Sequence, residues 1–252
     1  MLRMEITLFL VVAFVAYMYF TAEKEHTALH KTFSVLLVAA LVHLALDGCT
    51  VYTVNHLDTV PMLLNGALHR LFLGSIAAVI YLFYQYIAIL VQEETGRPRR
   101  LDWPAKAFLV LTELGNFLLP ISYTVTAEGN YSAGAYMLVP YAAVAFFPLP
   151  CAGLLVGNWK AIPGKKRSAI GAALVIEFTV CVLQGLYHTW LISGMGIILM
   201  TLSFYITLEN PEALRAELVE QKLSMLYLKS QVNPHFLYNT LDMIRLKAAI
   251  NK

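Results

Sequence analysis

Charge is scarce in this chain. Of its 252 residues only 13% are Asp, Glu, Lys or Arg, about half the usual share of a soluble domain, and 59% are apolar. A water-soluble globule of this length needs far more polar surface. A soluble enzyme and a disordered chain are therefore excluded, and a net charge of +2 gives no bulk attraction to nucleic acid. Cysteine is scarce as well. Cys49, Cys151 and Cys181 make no metal-type pair and no disulfide framework, and in apolar surroundings they read as small buried hydrophobes. No metal site is expected. No glycine-rich phosphate loop follows a strand, since Gly194-Met195-Gly196 lies inside an apolar run.

What is present is a series of long apolar stretches. A spanning helix needs roughly 20 apolar residues to cross about 30 Å of hydrocarbon. Seven stretches come near this: Ile6–Phe20, Phe33–Val54, Ala67–Val91, Ala107–Val125, Ala135–Gly157, Ala169–Leu186 and Trp190–Leu208. The last two are kept apart because about 40 residues exceed one ordinary span. The first resembles a signal peptide in length, but Phe20 and Thr21 stand where small residues would mark a cleavage site. Sixteen of the eighteen basic residues fall in alternate loops and the tail, leaving only Arg3 and Arg70 on the other side. That asymmetry predicts an outer N-terminus, a cytoplasmic C-terminus and an odd number of spans in a cell membrane. The outer segments Asn55–Gly66 and Thr126–Gly134 are too short for a folded external domain. Trp103, Trp159 and Trp190 sit near span ends, as interfacial anchors do.

Polar side chains within spans are costly and mark candidate sites. His43 and Asp47 lie four apart on the second stretch, Glu113 and Asn116 three apart on the fourth, and Glu177 and Gln184 seven apart on the sixth. Together they make a candidate sensor pocket or ion path. The competing reading is hydrogen bonding between helices that holds the bundle together.

After Leu208 the composition changes. Glu209, Asn210 and Pro211 form a helix-start signal, with Asn210 as cap and Pro211 in the first helical position. Leu214, Leu218, Gln221, Met225, Leu228 and Val232 follow a 4-3-4-3-4 spacing, the alternation of a coiled-coil core. Val219, Leu223 and Leu226 widen the stripe, which suits a bundle of helices in a dimer. A helix lying on the lipid surface fits less well, because Glu217 and Glu220 repel anionic lipid.

The same helix runs into Gln231–Leu241, which reads QVNPHFLYNTL. This segment resembles the phosphoacceptor signature of LytS-type sensor histidine kinases, with Gln231, Pro234, His235, Phe236, Leu237, Asn239 and Leu241 matching in place. The apolar front is similar to seven-span sensor regions found on some histidine kinases. The resemblance implies an ATP-dependent protein-histidine kinase of a two-component system, working as a homodimer. His235 would be the phosphoacceptor, taking the γ-phosphate of ATP and passing it to an aspartate on a response regulator. A neutral imidazole near pH 7 suits that role. Asn239, one helical turn on, would position the phosphoryl group or a water, and Pro234 would kink the helix beside the acceptor. Phe236 stands where many other histidine kinases carry an acidic base, so the group that takes the imidazole proton is open.

The expectation is thus an all-α polytopic membrane bundle over residues 1–208, followed over 209–252 by a cytoplasmic dimerisation and phosphoacceptor helix. ATP and Mg²⁺ are implied by the resemblance, but the 17 residues after His235 hold neither a second hairpin helix nor an ATP-binding domain. The chain reads as a fragment or truncated form of a longer bacterial kinase, incompetent alone, with no cofactor site of its own. Its partners would be a second copy, a response regulator, the bilayer and a small-molecule, peptide or membrane-borne signal, and no nucleic acid. Two other readings stand beside this: a seven-span transporter or channel with a helical tail, and an inactive receptor that modulates a full-length kinase.

Overall fold

The computed structural model describes residues 2–22, 27–97, 101–126, 129–187, 192–231 and 234–250. Lys24, Arg99, Arg100, His188, Trp190, Val232 and Lys252, which enter the sequence argument, lie outside the described residues. The chain divides into two compact units, Met1–Glu209 and Asn210–Lys252.

The first unit is an all-α apolar bundle with one small hairpin. Its elements are α1 (Leu2–Thr21), α2 (Ala28–Val54), α3 (Met62–Thr95), α4 (Asp102–Leu118), β1 (Ser122–Thr126), β2 (Gly129–Ala133), α5 (Leu138–Phe146), α6 (Pro148–Gly157), α7 (Gly164–Leu186) and α8 (Ser193–Phe204). Sequence chemistry sets several of their ends. Thr27 caps α2 by accepting the His30 backbone N–H on its hydroxyl at 3.1 Å. Gly96 closes α3 in the left-handed conformation (φ 67°). Pro148 opens α6, dividing the fifth apolar stretch into two short helices around Phe147.

Helix α3 organises the unit. At 34 residues it is about 51 Å long, well beyond the hydrocarbon thickness. It packs against α2, α4, α5 and α6, and α2 in turn meets α1 and α8. Phe33, Leu36 and Leu37 of α2 and Val79, Tyr86 and Leu90 of α3 are fully buried between these helices. Phe14, Leu63, Val110 and Phe178 lie exposed on the perimeter, as lipid-facing side chains would. Cys49 is exposed there too, so only Cys151 is the fully buried thiol that the composition suggested.

The spans differ in part from the sequence expectation. Five segments are long and apolar enough to cross a membrane: Met4–Thr21, Ala28–Val54, Met62–Thr95, Ala135–Gly157 and Gly164–Leu186. The remaining two are shorter. Helix α4 has 17 residues, about 25 Å, and the last apolar helix covers Ser193–Glu209. The fourth stretch ends at Leu118, not Val125, because Ser122–Thr126 pairs antiparallel with Gly129–Ala133. The alternation of Tyr123 and Val125 with small polar residues favours a strand once Pro120 has stopped the helix. Gly134 closes this hairpin at φ 126°, and a Cβ there would come within 2.9 Å of the Pro120 carbonyl oxygen. The sixth and seventh stretches are separate helices, α7 and α8.

Helix α8 continues into a π-helical turn, Tyr205–Glu209, that ends the unit. The second unit then holds α9 (Pro211–Gln231) and α10 (Pro234–Ile250). Helix α9 starts at Pro211, where the start signal placed it.

Close approach of α7 and α8 depends on Gly196, where a Cβ would meet the Val180 side chain at 2.9 Å. Gly196→Val should lower stability in detergent by about 1–3 kcal/mol, the usual cost of overpacking. Gly171→Val is the matched control, since a Cβ at Gly171 meets nothing within 4 Å. Thermal melts of the two variants check this, and equal midpoints would count against the close α7–α8 contact.

Candidate functional site

Three groups of residues stand out. The first is the motif segment in the second unit. His235 lies in the first turn of α10, and Asn239 lies one turn later on the same helix. Asn239 and Tyr238 are exposed. The sequence suggested one helix kinked at Pro234. Helix α9 is described to Gln231 and α10 from Pro234. Residues 232 and 233, beside the expected kink, lie outside the described residues. Along α9, Leu218, Met225 and Leu228 of the predicted core stripe are exposed, and so are Val219, Leu223 and Leu226 beside it. Such a stripe is apolar surface awaiting a partner.

The second group surrounds a partly open cavity of about 280 Å³ in the first unit. Helices α2, α3, α5, α7 and α8 line it together with strand β2. Of the six candidate pocket residues, the structure brings Asp47, Glu177 and Gln184 to this wall. Asp47 is 3% exposed, and neither its carboxylate nor that of Glu177 has a hydrogen bond or ion pair among the described residues. Gln184 accepts the Ile192 backbone N–H on Oε1 at 3.3 Å, helping to set the start of α8.

The other three candidates do not line the cavity, and two of them clearly hold helices together. The fully buried His43 meets the Ser75 hydroxyl through Nδ1 at 2.8 Å and stacks on Phe72. Asn116 donates from Nδ2 to the Arg70 carbonyl at 2.7 Å, and the Arg70 guanidinium donates to the carbonyls of Asn116 and Leu119. Arg70 thereby satisfies the C-terminal end of α4. Glu113 points at Gly74, its Oε2 2.6 Å from where a Cβ would stand. His43 and Asn116 thus each make a hydrogen bond between helices. The cavity also contains residues that sequence reasoning missed. Tyr136 and His69 are buried in its wall, and β2 contributes Asn130–Ala133. Strand β2 reaches α2 only through the hairpin, which no spacing rule could reveal.

The third group was also missed. Glu209, placed by sequence in a solvated tail, is 2% exposed at the end of the first unit. His30 Nδ1 lies 2.6 Å from its Oε2, Tyr86 donates to its Oε1 at 2.6 Å, and Tyr19 donates to Oε2 at 3.4 Å. One carboxylate therefore ties the end of the last apolar helix to α1, α2 and α3. Position alone hid this role, because Glu209 adjoins the true helix start at Pro211.

Gly194 and Gly196 are buried in α8, against Asp47 and Val180. Among the described residues no three His, Cys, Asp or Glu side chains gather to hold a metal ion.

Removing the Glu209 carboxylate would leave the buried Tyr86 hydroxyl without its acceptor. Glu209→Ala should cost about 1–3 kcal/mol of stability, read as a lower melting temperature in detergent. A midpoint equal to that of the wild type would show that the cluster holds nothing together.

Comparison with known families adds one finding. Residues 223–252 match the family described as Histidine kinase. The matched stretch covers the end of α9 and all of α10, including His235 and Asn239. No curated protein matches the chain. The match supports a histidine-kinase assignment for this C-terminal segment, in a chain whose first 209 residues form an apolar helix bundle.

Proposed function

We propose that the chain is the sensor and phosphoacceptor portion of a membrane histidine kinase of the LytS type. Its seven apolar segments cross the bilayer with the N-terminus outside and the tail in the cytoplasm. The separate α7 and α8 and the sorting of basic residues support this count and orientation. Two copies pair through the exposed apolar stripe of α9, which is a source of binding energy only once covered. His235 accepts the phosphoryl group and a response regulator receives it. Asn239, on the same helical face, positions the phosphoryl group or a water. ATP and Mg²⁺ are held by a catalytic domain carried elsewhere, on this or another polypeptide. A signal bound in the cavity of the first unit shifts helix packing, and the Glu209 cluster ties that packing to a point two residues before the tail helix starts.

The observation that carries this reading is the ordered motif from Gln231 to Leu241, within the matched residues 223–252. The unpaired carboxylates Asp47 and Glu177 favour a second reading, a transporter or channel. His43 and Glu113, which a continuous ion path would use, do not line the cavity. Under this second reading proteoliposome flux would disappear in Asp47→Asn. An inactive receptor that pairs with a full-length kinase would carry the same dimer stripe, and would show no label on His235 in a mixed dimer.

The test supplies the dimeric chain with ATP, Mg²⁺ and the catalytic domain of a LytS-type kinase. Acid-labile, base-stable phosphate should appear and be abolished in His235→Ala, while His43→Ala keeps it. Asn239→Ala should slow loss of the label. Labelling unchanged in His235→Ala would overturn the assignment.

A further inference from the structure

The cavity of the first unit has a chemical bias that narrows what it can hold. Its wall is mostly apolar, with Phe72, Ile76 and Ile197 among the lining side chains. Into this apolar wall the fold sets two carboxylates, Asp47 and Glu177, and, among the described residues, no Lys or Arg. Asp47 is 97% covered and has no partner among the described residues. The buried Tyr136 hydroxyl, beside Ser132 in the same wall, meets no partner at hydrogen-bonding geometry. His69 Nδ1 is already engaged by the Asn65 carbonyl at 2.9 Å. A third carboxylate stands behind: Glu5 of α1, buried, with one oxygen unpartnered, packs near Gly48 next to Asp47.

A carboxylate kept in an apolar cavity without a donor is costly, and the cost falls when a cation arrives with its own donors. The same arrangement repels an anion. A bare metal ion fits poorly, because no three ligating side chains gather among the described residues. About 280 Å³ equals the volume of roughly nine waters, enough for a small organic molecule and at the low end for ligand pockets.

We propose that this cavity takes a small amphipathic organic cation, its ammonium group against Asp47 in a wall made further negative by Glu177, and its apolar body against Phe72, Ile76 and Ile197. The proposal rests on the reading of the cavity as the sensing site, and names the class of signal. Tyr136 offers the ligand one further hydrogen bond. Gly194 shapes the acidic end, since a Cβ there would stand 3.1 Å from Asp47 Oδ2.

Cys181 lines the cavity and reports on it directly. In the full chain carrying Cys49→Ser and Cys151→Ser, Cys181 is modified with aminoethyl, hydroxyethyl and sulfonatoethyl methanethiosulfonate, each rate normalised to that of a free thiol. The cationic reagent should react about tenfold or more faster than the anionic one, as expected where a low-dielectric cleft focuses charge. The ratio should fall toward one in Asp47→Asn and in Glu177→Gln, each charged reagent's rate being divided by that of the neutral reagent in the same variant. Hexylammonium should slow labelling, while hexanol and hexanoate should not. A ratio near one in the parent, a ratio unmoved by both substitutions, or equal protection by hexanol would each overturn the proposal. So would a Cys181 that none of the three reagents modifies, because the cavity would then be closed to ligands. Phosphorylation plays no part in this readout, so it stands or falls apart from the test on His235.

Discussion

Hydrocarbon offers no hydrogen bonds, so a polar side chain inside an apolar helix bundle must find its partner within the protein. Most polar groups of the first unit obey this constraint, and in doing so they fix the helices. Arg70 and Asn116 exchange bonds with the backbone of each other's helix. His43 joins α2 to α3 through Ser75. Glu209 gathers His30, Tyr86 and Tyr19. With so little hydrophobic drive between helices in lipid, such contacts and the close approach at Gly196 give the bundle one arrangement. Against that background the lone carboxylates of Asp47 and Glu177 are exceptions, and both occur on the wall of one cavity.

Much of this was legible in the sequence, for identifiable reasons. Apolar runs read as helices because length and hydropathy are local properties. The start of α9 at Pro211 was legible from Asn210 and Pro211 alone. The motif around His235 was legible because its matched residues stand in one continuous order. The hairpin was not, since Val125 adds to an apolar run whether it sits in a helix or a strand. Spacing along one helix showed that His43 and Asp47 share a face, but not what each meets across it. One turned to Ser75 and the other to the cavity. Glu209 was hidden for a related reason: it lies at the junction of two units, and its partners are 123 to 190 residues away in sequence.

The two units answer different physical demands. The first satisfies itself internally and shows apolar side chains outward, toward lipid. Among the described side chains of the second, polar and apolar residues alike lie exposed, Leu218, Met225 and Leu241 among them. A helix of this kind is stable mainly through a partner. A signalling protein gains from such a division, because the unit that lacks its own core is the one whose state another molecule can set.

The π-helical turn at Tyr205–Glu209 constrains chain length as well as composition. A π turn carries an extra residue relative to an α-helix and is an uncommon conformation, retained where it serves a purpose. Because the π turn absorbs one residue, deleting one between 205 and 208 would relax the turn to α geometry and leave Glu209 on nearly the same face of the helix. One residue added there would instead swing Glu209 by about 100° around the helix axis. The carboxylate would then leave His30 and Tyr86 although every side chain of the cluster remained in the gene. Related chains should therefore tolerate loss of one residue in this turn and not gain of one.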